Sequence, residues 1–70
     1  MEEKIYKILK EEFEISEPLS KETNLVNDLG FESISLVDLA SILAKETGIR
    51  VSQSDAIQWT TIESVLKSLS

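Results

Sequence analysis

Residues 28–39 read DLGFESISLVDL, and the stretch changes character at its middle. A turn built on Asp28, Leu29 and Gly30 gives way at Ser33 to a run with helical spacing. Leu36, Leu39, Ala40 and Leu43 fall on one face of that helix, widened by Val37 and Ile42. Ile34, Asp38, Ser41 and Lys45 fall almost in line on the other, with Ser35 beside them. The pattern predicts a helix from Ser33 or Ile34 to Glu46, closed by Thr47-Gly48 as a glycine C-cap. Such a helix is about 20 Å long, and it puts Ile34 on the solvent side next to Ser33.

Ser33 has two readings. A serine at a helix start commonly caps it, its hydroxyl accepting an amide hydrogen bond. Ser35 competes for that role, because Asp38 answers it three residues later at capping-box spacing. If Ser35 caps, Ser33 is left free as a chemical handle near a helix amino end, where a phosphate meets unpaired amides and a favourable dipole. The residues alone leave both readings open.

Upstream, Ile5, Ile8, Leu9 and Phe13 recur at helical spacing among five glutamates, which predicts a first helix over residues 3 to 15. Pro18 is expected to close it. The connection from Ser16 to Glu32 is long but not purely polar. Leu19, Leu25, Val26, Leu29 and Phe31 are expected to lie over the core, and Gly30 to permit a turn. Long loops in small domains are often functional. Downstream, Ile49 and Val51 are expected to pack after the second helix, and Ser54 to Ile57 to form a short turn of helix. Thr60 and Glu63 have capping-box spacing ahead of the core stripe Ile62, Val65, Leu66 and Leu69. The expected fold is all-α: a small four-helix bundle of three main helices and one short one, with a long loop between the first two. Residues 1–70 read as a single domain, and the initial methionine and early helix favour a freestanding protein.

Composition narrows the function. The chain has no cysteine and no histidine, which removes disulfides, thiolate metal sites and the commonest general base. A hydrophobic share of 41% is enough for a folded core. Seven basic residues against thirteen acidic ones leave a net charge of −6, so nucleic acid and anionic membrane are poor partners and basic protein surfaces good ones. A helix-turn-helix reader would need cations on its recognition helix, where this chain has one lysine in the second helix and Lys67 in the last. Neither a signal peptide nor a transmembrane stretch is visible. A cytoplasmic, monomeric protein without membrane insertion is expected. No catalytic constellation or metal-ligand cluster stands out, and Gly30 alone matches no nucleotide loop. Catalysis by the chain itself is not expected.

Asp28-Leu29-Gly30-Phe31-Glu32-Ser33-Ile34, followed by Leu36-Val37-Asp38-Leu39, resembles the attachment site of acyl carrier proteins and peptidyl carrier domains. Their signature is glycine, a variable residue, aspartate, the modified serine, then leucine or isoleucine. Gly30, Ser33 and Ile34 match, while Glu32 replaces the aspartate. The stretches 23–30, 47–51 and 59–65 resemble, in turn, the loop into the serine, the exit from the second helix and the opening of the last.

The resemblance implies a carrier. A phosphopantetheinyl transferase would join 4′-phosphopantetheine from coenzyme A to Ser33 through a phosphodiester. The thiol of that group would hold an acyl, malonyl or aminoacyl unit as a thioester. An acyl- or aminoacyl-loading enzyme and condensing or acyl-transfer enzymes of fatty-acid, polyketide or related biosynthesis would be the partners. Glu32, Ile34, Ser35, Asp38, Ser41 and Lys45 would form the surface offered to them. The usual face is strongly acidic, whereas this one carries Asp38, Ala44 and Lys45, which fits a dedicated pathway at least as well as ordinary fatty-acid synthesis. The alternative is a carrier-like interaction module that is not phosphopantetheinylated.

Overall fold

The apolar periodicities resolve into four helices in a computed structural model that describes all of residues 1–70. In chain order they are α1 (Glu2–Glu12), α2 (Ser33–Thr47), α3 (Gln53–Ala56) and α4 (Ile62–Leu69). There is no strand, only an isolated antiparallel bridge between Asn24 and Thr61. The all-α bundle with one short helix and a long α1–α2 loop is therefore the fold. Every buried residue is apolar, and no buried side-chain polar atom lacks a partner. α1 supplies Ile5, Ile8 and Leu9, α2 supplies Leu36, Leu39, Ala40 and Leu43, and α4 supplies Ile62, Val65 and Leu69. Removing the leucine, isoleucine and valine side chains among these from water stabilises by about 1.5–3 kcal/mol apiece.

α1 stops earlier than its periodicity suggests. It ends at Glu12, and Pro18 lies well beyond that end and closes nothing. The chain turns at Glu14, which has a left-handed backbone (φ 56°), and the Ile15 amide donates to the Leu9 carbonyl at 3.1 Å. The physical reason is tertiary. The Phe13 ring packs on Phe31 of the following loop with centroids 5.0 Å apart, and Ile15 turns back onto the core.

The α1–α2 loop is part of the core. Leu25 is fully buried and Phe31 nearly so, and Leu19 and Leu29 are partly buried against the core. Val26 departs from expectation and faces outward. The loop also completes α4. Carbonyls of Thr23 and Lys21 accept the amides of Ile62 and Glu63, at 3.1 and 3.0 Å, and the Leu25 amide donates to Thr60 at 2.7 Å. Those first helical amides would otherwise lack partners.

The α4 cap is Thr61, not Thr60. Its hydroxyl accepts the Ser64 amide at 3.2 Å, while the Ser64 hydroxyl accepts the Thr60 amide at 3.0 Å and donates to the Thr61 carbonyl. The bridge to Asn24 holds Thr61 extended, so the helix begins one residue later and Glu63 has no capping role. α3 is shifted by one residue from expectation and is capped by Ser52, whose hydroxyl accepts from the Asp55 amide. Trp59, buried after α3, donates its indole N–H to Ser68 at 2.8 Å and ties that segment to α4.

Candidate functional site

Asn24 begins the turn that delivers Ser33. Its side-chain oxygen accepts the amides of Val26 and Asn27 at 3.0 and 2.8 Å, and Asp28 reaches back to the Asn24 amide at 2.8 Å. The result is a reciprocal cap on a single turn, built as helix caps are built. The Gly30 amide donates to Val26 and the Phe31 amide to Leu25. Gly30 itself takes φ 75°, a left-handed conformation that glycine adopts without strain. Phe31 then plugs into the core, and the chain is aimed outward at Glu32.

Glu32 is the N-cap of α2, extended at φ −106° and ψ 175°, and no side chain closes that end. The first intrahelical bond joins the Leu36 amide to the Glu32 carbonyl at 3.0 Å. Ser33 is thus the first helical residue, and its hydroxyl does not cap. The Ser35–Asp38 box is not formed either, because Ser35 already lies inside the first turn. The anchor at Phe31 and the turn at Gly30 fix the start of the helix ahead of any cap at Ser35. At its other end, Gly48 takes φ 78° and donates to Ala44, as a glycine C-cap should.

Ser33 is exposed, flanked by exposed Glu32 and by Ile34, whose relative exposure is 69%. Asp38, Ser41 and Lys45 are exposed along the same helix, and Ser35 is half-buried. The surface read from the helical wheel is therefore continuous along α2. Its electrostatics are uneven: Asp28, Glu32 and Asp38 lie toward the Ser33 end and Lys45 at the far end. The main-chain amides of the first turn of α2 have no intrahelical acceptor, so an anion joined to the Ser33 oxygen would meet donors and the positive end of the helix dipole. The residues present fit a phosphate ester at this hydroxyl.

Sequence reasoning did not single out two further features. The Asn24–Asp28 cap sets the approach to Ser33, and its signal was an asparagine followed four residues later by an aspartate. Beside the distal half of α2, a groove is lined by Val37, Ala40, Ser41, Ala44, Lys45, Arg50, Val51 and Gln53. Its far wall comes from the segment after α2, which no helical wheel could place.

An acidic four-helix bundle that buries only apolar side chains and presents a serine at the amino end of its longest helix has the architecture of a helical carrier. Comparisons agree. A family model described as "Phosphopantetheine attachment site" matches residues 3–69. An acyl carrier protein of Saccharopolyspora erythraea is 38% identical over 66 residues, spanning 93% of this chain and 70% of that one. A solved structure from Mycobacterium tuberculosis, assigned as an acyl carrier protein, superposes with a TM-score of 0.84 at 31% identity, covering 96% of this chain and 90% of that one. The chain belongs to this phosphopantetheine-binding family of acyl and peptidyl carriers, and 4′-phosphopantetheine is the family's prosthetic group.

Proposed function

We propose that residues 1–70 act as one non-catalytic carrier domain and that Ser33 is its attachment residue. The observation that carries this reading is the free, exposed Ser33 hydroxyl in the first turn of α2, with no capping role of its own. In the transfer, the Ser33 oxygen attacks the phosphorus of coenzyme A that bears the pantetheine. A phosphodiester forms, the phosphoanhydride bond breaks, the adenine nucleotide leaves, and the serine proton passes to a base on the transferase. The bound group supplies a thiol for thioester formation. Every other contribution comes from the chain: the Asn24 turn and Phe31 hold Ser33 at the surface, and the exposed stripe beside it orients partner enzymes. Tethering raises the effective concentration of a carried acyl, malonyl or aminoacyl unit at each partner. The compartment that supplies coenzyme A and the transferase, the cytoplasm, is the proposed location.

Glu32, Ile34, Ser35, Asp38, Ser41 and Lys45 are the proposed recognition surface, with Ile34 as its apolar contact next to the attachment point. Intact mass after coexpression with a broad-specificity phosphopantetheinyl transferase tests the reading. A phosphopantetheine-sized gain in the parent, absent from Ser33→Ala, is expected. No gain with several transferases would overturn it in favour of an unmodified interaction module.

A further inference from the structure

The groove beside α2 holds about 340 Å³. Its floor is apolar, formed by Val37, Ala40, Ala44 and Val51, two of them alanines. Its only charged members are Lys45 and Arg50, in a chain whose net charge is −6. Both cations are exposed, and the chain's one ion pair is elsewhere, between Lys67 and Glu63. Glu46 does not neutralise the groove by lining it. It lines a second cleft on the α1 side of α2, with Glu11, Glu12 and Lys7. Lys45 in the last turn complements the dipole of α2. That explanation does not reach Arg50, which follows the C-cap, nor the lack of any acid along the groove.

We propose that this groove docks a partner protein through an acidic, amphipathic helix, an apolar side chain of which seats over Ala40 and Ala44 while its carboxylates meet Lys45 and Arg50. Charge complementarity selects this occupant, since opposed charges steer encounter and suppress wrong partners. Ser41 and Lys45 belong both to the groove and to the exposed stripe of α2, so the two surfaces are continuous. Asp38 and Lys45 are seven residues apart, about 10 Å along the axis. A protein engaging both ends therefore needs cations near Ser33 and carboxylates two turns further on. The inference rests on the carrier reading only in taking that partner to be a biosynthetic enzyme.

Two amphipathic helical peptides, one of leucine and glutamate and one of leucine and lysine, test the groove by titration of the full-length isotope-labelled chain. The glutamate peptide should shift the backbone amides of Ala44, Lys45, Arg50 and Val51. Its affinity should fall by roughly tenfold or more in the double variant Lys45→Glu/Arg50→Glu, because like charges then face each other. Ala44→Leu, which keeps both cations and suits a helix, should fill the floor and weaken the same binding. Shifts confined to the α1 lysines Lys4, Lys7 and Lys10, equal groove binding by the lysine peptide, unchanged affinity in the double variant, or no binding at all would each overturn the proposal. Phosphopantetheine loading of Ser33 on the same proteins reports the attachment reading separately, so failure of one is distinguishable from failure of the other.

Discussion

Glu32 sits where a short carboxylate would be the better cap. Aspartate at an N-cap can reach the amides of the first turn, whereas the extra methylene of Glu32 leaves that end without a side-chain bond. Glu32→Asp is expected to raise unfolding stability by about 0.5–1 kcal/mol, measured by chemical denaturation. Glu14 presents the opposite opportunity. A non-glycine residue in the left-handed region costs roughly 1–2 kcal/mol, and glycine is the usual occupant after a helix end. Glu14→Gly should therefore raise the unfolding midpoint, and a fall would show that the Glu14 side chain matters more than its backbone. Tyr6 offers a titration. Its hydroxyl donates to the Glu2 carboxylate, and that hydrogen bond, followed by burial and the charges of Glu2 and Glu22, pushes its pKa up to about 12. The raised value means this contribution to stability is full below pH 10, the ordinary phenol value, and is lost as pH rises through about 12. Phenolate absorbance of this single tyrosine should titrate near pH 12, and Glu2→Gln should bring it back toward 10.

Helix ends depend on partners from distant parts of the chain. α4 has only eight residues, too few to persist alone in water. It is held by the Thr61 cap and by loop carbonyls of Lys21 and Thr23. Thr61→Ala should cost about 1 kcal/mol, and Thr60→Ala clearly less, because only the Thr60 backbone takes part in the cap and the bridge. Equal costs in denaturation would show that the two hydroxyls share the role. The sequence placed the α2 wheel correctly from Leu36 to Lys45, since 3.6-residue periodicity is a local property. It misplaced the end of α1 and the cap of α4. In both, an apolar or cap pattern continued past the point where a tertiary contact, Phe13 on Phe31 or Asn24 beside Thr61, redirected the backbone.

The whole molecule is a core shared between helices and a loop. Leu25 is fully buried whereas Val26 beside it is 43% exposed. Leu25→Ala should cost about 2–5 kcal/mol, and Val26→Ala little, with unfolding midpoints as the check. A small Leu25→Ala effect would mean that the loop is not part of the cooperative unit. Ser33 was legible as a special position from Gly30, Glu32 and Ile34, and its exposed stripe from the wheel of α2. What stayed open was whether its hydroxyl caps the helix, because Ser33 and Ser35 both lie at the helix start and a serine at either position can cap it. The sequence by itself determined the helical class, the apolar faces, the glycine turns at 30 and 48 and the acidic surface, all of which follow from residue type and short-range spacing. Only the tertiary structure decided where α2 begins, that the Ser33 hydroxyl is left out of the cap, and that Arg50 joins Lys45 across a groove. Each of those depends on Phe31, Leu25 and Val51 finding burial against residues far along the chain, and no local periodicity encodes such contacts.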